Sequence, residues 1–234
     1  MSSFDYNSSM IKAAFFDLDE TLINAEHAHK AATEKAFAVF GYDYSEERKK
    51  SPNHISMGKR VYDNLKARRD GAGISEEQMP MDKLLDIREG YFLSFMKDEI
   101  VLLEGAREIL EVMKRKHIIT AIVSSGTKKY VELVMDIFKL RNDIHFIITG
   151  DDVERGKPDP ECYLKAYDQA LNELKDLHNQ ECIVFEDTES GITAGKKAGM
   201  RVVYIPTSTS VPPINYLPDY TIGSLLSFKT EVLI

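Results

Sequence analysis

Acidic residues crowd together after an apolar segment near the start of the chain, in the sequence FFDLDETL (15–22). Asp17 and Asp19 are two residues apart, and Glu20 follows directly. Neighbouring carboxylates repel one another, and each costs free energy beside an apolar core. A helix N-terminal cap accounts for Glu20 but not for Asp17 at the end of a buried strand. The segment therefore predicts a site that holds a cation.

Further polar residues follow three other apolar segments of the chain. Ser124 and Ser125 directly follow the first of these segments. Lys157, in RGKPDP, comes after the second, and Glu186 and Asp187 follow the third. Because ligands of open parallel sheets bind at the carboxyl ends of the strands, we expect these side chains to meet the acids of FFDLDETL at one edge.

This set of residue types suits a divalent cation together with a phosphoryl group. Mg²⁺ takes oxygen ligands, usually one or two protein carboxylates and several waters. A lysine beside a hydroxyl and backbone N–H groups suits the oxygens of a phosphoryl group. One carboxylate can then attack phosphorus, while a second protonates the leaving oxygen and later activates water.

The elements that would position these residues are predicted by the alternation of apolar segments and amphipathic helices. Strand, helix and strand in this rhythm indicate parallel strands with crossover helices, and continuous apolar strands indicate that both faces of the sheet are covered. The predicted fold class is α/β, with a Rossmann-like parallel sheet. Strands are predicted over 13–16, 118–123, 146–149, 182–185 and 202–205, and helices over 107–116, 128–138, 160–174 and 191–198.

The segment from 25 to 101 has a different character, because it contains helical periodicity and no convincing strand. We interpret it as an all-helical insertion after the first strand. The predicted domains are therefore a catalytic core formed by 1–24 and 102–234 and a helical cap formed by 25–101. The cap is expected to act as a lid over the strand ends.

Four segments, FFDLDETL, AIVSSG, RGKPDP and FEDTESGITAGKKAGM, resemble in order the four motifs of the haloacid dehalogenase (HAD) superfamily. The resemblance covers nearly the whole chain and points to the subgroup with a small helical C1 cap. That subgroup includes β-phosphoglucomutase and phosphoglycolate phosphatase-like members. Glu20 departs from the pattern, because Gly is commoner at this position.

The resemblance implies roles for the two aspartates of the first motif. Asp17 would be the nucleophile, and Asp19 would be the general acid and base, with its backbone carbonyl on Mg²⁺. Family members that cleave carbon–halogen or carbon–phosphorus bonds tend to lack an aspartate at the position of Asp19. The resemblance therefore favours phosphate ester chemistry.

The other motifs would bind the phosphoryl group and the metal. Ser124, with Ser125 beside it, would hydrogen-bond the phosphoryl oxygens, and Lys157 would neutralise charge on the nucleophile and on the phosphoryl group. Asp187 and Glu186 would complete the Mg²⁺ site formed with the acids of the first motif.

Two residues of the cap are candidates for contact with the substrate. His29 lies on the first cap helix at the offset where β-phosphoglucomutase carries a histidine that links substrate binding to cap closure. The alternative is a solvated helix histidine. Arg60, or its neighbour Lys59, is a candidate for gripping a second anionic group of the substrate. The alternative of a solvated basic patch is slightly favoured for this pair.

Composition restricts the class of partner. The chain has 234 residues, 43% of them hydrophobic, and a formal net charge of −8, which argues against nucleic acid as a partner. We expect neither a membrane-spanning segment nor an N-terminal signal peptide, because the apolar runs are short and residues 1–12 are polar. Cys162 and Cys182 lack zinc-type spacing and indicate reduced thiols and a cytoplasmic location. We expect a monomer that binds neither nucleic acid nor membrane.

The sequence thus predicts a Mg²⁺-dependent phosphatase that hydrolyses a small phosphorylated metabolite through an aspartyl-phosphate. One alternative is a phosphomutase of the β-phosphoglucomutase type, in which a sugar hydroxyl receives the phosphoryl group. Another is a non-catalytic phosphate-binding protein, for which a damaged motif is expected, whereas all four motifs are intact here. The sequence does not identify the substrate.

Overall fold

The computed structural model describes residues 10–44, 59–207, 213 and 215–234. Its strands are β1 (Ala13–Phe16), β2 (Ile23–Asn24), β3 (Val101–Leu102), β4 (Ile119–Val123), β5 (Phe146–Ile148), β6 (Cys182–Glu186), β7 (Arg201–Tyr204) and β8 (Tyr220–Thr221). Its α-helices are α1 (Glu26–Val39), α2 (Val61–Gly71), α3 (Met81–Glu99), α4 (Ala106–Arg115), α5 (Lys128–Ile137), α6 (Glu161–Ala170) and α7 (Glu189–Lys197).

Six strands form one parallel sheet in the order β5-β4-β1-β6-β7-β8. The central strand β1 pairs on both sides, so that Phe16 lies beside Ile122 of β4 and Phe185 of β6. This register aligns the carboxyl ends of the three central strands. The predicted α/β fold with a Rossmann-like parallel sheet is confirmed. Strand β8 was not predicted, because a strand of two residues is too short for a periodic pattern.

Both faces of the sheet are buried, as the continuous apolar strands predicted. Phe16 faces α4 and α5 and stacks on Phe185 with ring centroids 4.4 Å apart. Phe15 points to the opposite face, where it joins the side chains of α6 and α7. Adjacent residues of a strand alternate between faces, so one short strand contributes to two apolar layers.

The helices α1, α2 and α3 lie between β2 and β3. These two short strands pair antiparallel, so the chain enters and leaves the helical segment side by side. Part of the segment packs on itself, around Phe37, Leu65 and Leu84. Its remaining apolar residues, such as Ala28 and Phe92, join the cluster on the sheet. The division into a core and a cap remains a prediction.

Among the helices in the described part of the chain, none is both long and apolar enough to cross a membrane. The longest of them, α3, carries charged residues such as Asp82, Arg88 and Glu99.

Glu20 helps to begin the first helix of this segment. Its φ is 60°, a left-handed conformation that favours glycine, which fits its unusual place in the motif. The carboxylate compensates by accepting hydrogen bonds from the backbone N–H groups of Ala25 and Glu26, at 2.8 and 2.9 Å. Burial of this carboxyl group raises its pKa to about 7, although the two hydrogen bonds oppose that rise. Glu20 therefore fixes the start of α1 directly beside the first motif.

Candidate active site

Three carboxylates meet at the carboxyl edge of the sheet. Asp17 follows β1, Glu186 ends β6, and Asp187 comes directly after it. Their oxygens lie within 4.8 Å of one another, and all three residues are buried. The parallel register of the central strands is the cause of this proximity.

Lys157 lies against two of these acids. Its Nζ donates to Asp17 Oδ1 and to Glu186 Oε1, both at 2.5 Å, and to the backbone carbonyl of Val123 at 3.2 Å. Burial alone would lower the pKa of this lysine, but the charges of Asp17 and Glu186 outweigh burial and raise it well above its ordinary value. Lys157 is therefore a fixed cation beside the predicted nucleophile.

Glu186 is enclosed by protein donors. Its Oε1 accepts from Tyr163 Oη at 2.8 Å as well as from Lys157, and its Oε2 accepts from Thr188 Oγ1 at 3.0 Å. The backbone of Gly191 approaches so closely that a Cβ there would lie 1.8 Å from Oε1. A carboxylate with this many donors has little remaining acceptor capacity. These contacts favour Glu186 as the partner of Lys157, and its predicted metal role remains a prediction.

The ionisation of the acids also indicates a need for a cation. Burial raises the pKa of Asp17 to about 8, with Glu186 adding to the rise and Lys157 opposing it. Burial and the neighbouring carboxylates also raise the pKa of Asp187 well above its ordinary value. Buried acids of this kind hold protons unless a positive ion replaces them. An all-oxygen, electron-rich cluster fits Mg²⁺.

This arrangement predicts an unusual dependence of stability on pH. Between pH 4 and about 8 the folded metal-free protein retains a proton on Asp17 that the unfolded chain releases. Asp187 and Glu20 shift in the same direction. The free energy of unfolding is therefore expected to fall as pH rises from about 5 to about 8 when a chelator is present. Added Mg²⁺ should restore most of the loss at the upper end of that range, because it binds the ionised acids.

Urea unfolding across this pH range, with chelator and with Mg²⁺, measures the effect. Asp17→Asn is the matched variant, because it removes one of the groups that titrate and should make the metal-free profile shallower, with Asp187 and Glu20 still contributing. A metal-free protein whose stability rises steadily from pH 5 to pH 8 would contradict the ionisation described for these acids.

Asp19 is held from two sides, apart from the cluster of three acids. Its Oδ1 accepts a hydrogen bond from Tyr130 Oη of α5. Its Oδ2 lies 3.3 Å from His29 Nε2 of α1. The opposite ring nitrogen of His29 contacts the guanidinium of Arg88 from α3, and the ring stacks on Phe92 with centroids 4.2 Å apart. His29 therefore lies beside the first motif, and its predicted contact with the substrate remains a prediction.

The chemistry of Arg88 determines which ring nitrogen of His29 donates and which accepts. A guanidinium only donates, so Nδ1 of His29 must accept, and the ring proton then lies on Nε2, which faces Asp19. Burial alone would raise the pKa of Asp19, but hydrogen bonds from His29 and Tyr130, together with the positive charge of Arg88, lower it overall. Burial and the adjacent Asp19 raise the pKa of Tyr130 well above its ordinary value, so its hydroxyl keeps its proton.

The serines lie at the end of β4, next to β1 in the sheet. Ser124 is buried, and its Oγ accepts from the backbone N–H of Gly126 at 3.0 Å. Ser125 is half-buried, and its carbonyl packs against Gly150, where a Cβ would lie only 2.6 Å away. Both serines thus occupy the expected edge, and their contacts with phosphate remain predictions.

Arg60 is engaged with protein groups. Its guanidinium pairs with Asp63 at 2.8 Å and donates to the carbonyl of Val153 at 3.2 Å. Its aliphatic part packs against Gly156, where a Cβ would lie 2.7 Å from Arg60 Cγ. Arg60 therefore connects the helical segment to the loop before Lys157, and its role in binding substrate remains a prediction.

Three residues near the predicted site were not recognised from the sequence. Arg88 and Tyr130 hold the groups around Asp19, and Tyr163 donates to Glu186. Tyr163 had a detectable signal, because it lies one helical turn beyond RGKPDP on a helix that begins beside Lys157. The sequence contained no comparable signal for Arg88 and Tyr130, because their positions depend on how separate helices pack.

Comparison with known proteins places the chain in a family. A profile described as haloacid dehalogenase-like hydrolase matches residues 14–205. Validoxylamine A 7'-phosphate phosphatase of Streptomyces hygroscopicus subsp. limoneus is 33% identical over 199 residues, which cover 85% of this chain and 87% of that protein. Glycerol-1-phosphate phosphohydrolase 1 of Saccharomyces cerevisiae is 31% identical over 212 residues, which cover 86% of this chain and 77% of that protein.

A solved structure gives the same result. The crystal structure of CbbY from Rhodobacter sphaeroides in complex with phosphate superposes with a TM-score of 0.76 at 25% identity, covering 93% of this chain and 96% of that chain. The chain therefore belongs to the haloacid dehalogenase-like hydrolases. The predicted enzyme class, a phosphoric monoester hydrolase, is confirmed by the family and by the phosphatases among its relatives.

Proposed function

We propose that this protein is a Mg²⁺-dependent phosphatase that hydrolyses a small phosphorylated metabolite through an aspartyl-phosphate on Asp17. The observation that carries the proposal is the contact of 2.5 Å between buried Asp17 and the buried ammonium of Lys157. A fixed cation at this distance stabilises the ionised nucleophile and the negative charge that it attacks. Asp19, held by its own donors two residues further on, supplies the acid and base.

The carboxylates of Asp17 and Asp187, with the backbone carbonyl of Asp19, would hold the magnesium ion. Their oxygen chemistry and burial support this assignment. When bound, the ion would neutralise negative charge on the phosphoryl oxygens. Glu186 would support the site mainly through Lys157, which it contacts at 2.5 Å.

The reaction would proceed in two steps, the formation of the aspartyl-phosphate and its hydrolysis. In the first, Asp19, which has taken up a proton from solvent, gives it to the leaving oxygen as an Asp17 oxygen attacks phosphorus and the bond to that leaving oxygen breaks. In the second, Asp19 takes a proton from water as the water oxygen attacks phosphorus and the bond to Asp17 breaks. Lys157 and Ser124 would hold the phosphoryl oxygens through both steps.

The relatives guide the proposed substrate class. One is named for the phosphate of validoxylamine A and another for glycerol 1-phosphate, and both compounds carry one phosphate on a polyhydroxylated carbon skeleton. We therefore propose a sugar or polyol monophosphate as the substrate. Relatives that are named for such phosphates support the proposal more directly than fold similarity alone.

The phosphomutase is the second candidate, and the contacts of the helical segment weigh against it. A mutase of this type has to grip the phosphate that does not react. The basic candidate, Arg60, is paired with Asp63 and with the carbonyl of Val153. Glu89 of α3 lies close to the loop that follows Ser124 and Ser125. Its carboxylate accepts a hydrogen bond from Thr127 Oγ1 at 3.3 Å. An acid at this position disfavours a second phosphate nearby.

We further propose a cytoplasmic monomer whose partner is the small substrate, with neither nucleic acid nor membrane as a partner. The buried free thiols of Cys162 and Cys182 support a reducing compartment. The formal net charge of −8 supports the exclusion of nucleic acid.

Phosphate release from a panel of sugar, polyol, nucleotide and small-acid monophosphates, with Mg²⁺ and with chelator, tests the function. We expect release from the sugar or polyol esters that chelator abolishes. Glucose phosphate isomers are followed in parallel, and isomer conversion without release would establish the mutase instead. A folded protein that does neither would contradict both enzyme proposals and favour the non-catalytic phosphate-binding alternative.

A further inference from the structure

We propose that Tyr130 is a positioning residue that holds the proton-transferring oxygen of Asp19 from the side of the sheet. The inference rests on the proposed function, in which Asp19 is the acid and base. Tyr130 lies outside the four motifs, on the first turn of α5 and a few residues after Ser124 and Ser125.

The position of the Tyr130 side chain is fixed by its surroundings. The residue is 3% exposed, and its hydroxyl donates to Asp19 Oδ1. One edge of the ring meets Gly126, where a Cβ would lie 2.6 Å from Tyr130 Cδ1. On another side the ring packs edge-on against Phe92, with centroids 4.9 Å apart, and its backbone N–H donates to the helix-capping Thr127. A ring packed this closely keeps its hydroxyl in place.

The two oxygens of Asp19 have partners of different kinds. Oδ2 faces His29 Nε2, which can only donate as long as Arg88 donates to the other nitrogen. Oδ1 faces a tyrosine hydroxyl, which can donate to a carboxylate or accept from a carboxylic acid. A proton on Asp19 therefore belongs on Oδ1, beside Tyr130.

With the proton on Asp19 Oδ1, the first chemical step has two separate parts, the proton transfer from Asp19 and the attack of Asp17 on phosphorus. As the phosphorus–oxygen bond breaks, the Oδ1 proton of Asp19 passes to the leaving oxygen, while Asp17 forms the new bond to phosphorus. Tyr130 orients only the proton transfer. Its hydroxyl should matter for a basic leaving group and little for one that departs without a proton.

The test compares p-nitrophenyl phosphate with phenyl phosphate, which are similar in shape but differ in how basic the leaving oxygen is. Rapid-mixing measurements with Mg²⁺ give the rate of the first step for each ester. In Tyr130→Phe we expect the ratio of the two rates, p-nitrophenyl over phenyl, to rise by roughly tenfold. Tyr167→Phe is the matched control, because it removes a hydroxyl that donates to the carbonyl of Leu177 outside the site, and its ratio should equal that of wild type.

A double-mutant cycle distinguishes positioning from general damage. If Tyr130 acts through Asp19, adding Tyr130→Phe to Asp19→Asn should change the ratio no further. An equal fall for both esters in Tyr130→Phe, or no change for either, would overturn the inference even if the wild type is an active phosphatase. A wild type that releases no phosphate from either ester would instead overturn the proposed function, and the inference would fall with it.

Discussion

Asp17→Asn is expected to lower turnover by at least about 10⁴-fold, because it removes the nucleophile on which the aspartyl-phosphate would form. An amide oxygen is too weak a nucleophile to replace the carboxylate. The remaining groups can still bind substrate and orient it, so affinity should fall far less than turnover. Steady-state kinetics measure the first effect, and acid-trapped phosphoenzyme from labelled substrate should disappear in the variant.

The fold should survive this substitution. Asn has nearly the shape of Asp, and its carbonyl oxygen can still accept the hydrogen bond from Lys157 that the Asp17 carboxylate accepts at 2.5 Å. The change also removes a carboxylate whose pKa is raised by burial and by the neighbouring carboxylates. Above neutral pH and without metal, the variant is therefore expected to unfold at a temperature equal to or higher than that of wild type.

Asp136→Asn provides the matched control for this experiment. Asp136 is an exposed acid on α5 that pairs with Arg141 at 2.5 Å, and the same change of chemical group there should leave turnover unchanged. If Asp17→Asn and the control Asp136→Asn both retained wild-type turnover, the assignment of Asp17 as the nucleophile would be wrong.

The residues at the carboxyl edge of the sheet could be predicted from the sequence, because the strands are short, continuous apolar segments. Asp17 and Glu186 meet because β1 and β6 pair in parallel, with Phe16 beside Phe185. Parallel pairing needs only the order of the elements and the handedness of the connections. For the same reason Lys157, which follows β5, was expected at this edge.

The surroundings of Asp19 were not predictable in the same way. Tyr130 and Asp19 are 111 residues apart, and Arg88 and His29 are 59 apart on two different helices. Which side chains meet there depends on how α1, α3 and α5 rotate against one another, and side-chain periodicity fixes only the buried face. The His29 prediction came from resemblance, and the resemblance did not include the residues that contact His29 here.

Arg60 illustrates a local signal that was available in the sequence and was not used. Arg60 and Asp63 are three residues apart at the start of α2, a spacing that commonly places opposite charges side by side. The sequence therefore already contained a partner for the guanidinium. The contact with the carbonyl of Val153 required the structure, because it links segments 93 residues apart.

Gly191→Ala is expected to damage both stability and activity, because the site is built around the absence of a side chain at this position. A Cβ there would lie 1.8 Å from Glu186 Oε1 and 1.9 Å from its carboxyl carbon, so the carboxylate must move. Moving it separates Glu186 from Lys157, Tyr163 and Thr188 in a fully buried environment. Displacing one partner of a buried ion pair typically costs about 3–5 kcal/mol, and overpacking adds to that cost.

Turnover should fall by roughly 10²-fold or more, since Lys157 would lose the group that fixes its ammonium beside Asp17. Two other glycine-to-alanine changes separate this effect from helix propensity. Gly195→Ala lies on the same helix α7, where a Cβ would meet Val202 at 3.0 Å, and it should cost less. Gly90→Ala on α3 meets nothing within 4 Å and should stabilise the protein by about 0.5–1 kcal/mol.

Urea unfolding and steady-state kinetics on the three variants give the comparison. The order of stability expected is Gly90→Ala above wild type, then Gly195→Ala, then Gly191→Ala. Only Gly191→Ala should lose turnover out of proportion to its stability, because only there does the added methyl group reach a carboxylate that holds Lys157. Were Gly191→Ala to keep wild-type turnover, the ion pair of Glu186 with Lys157 would not be what positions the lysine for catalysis.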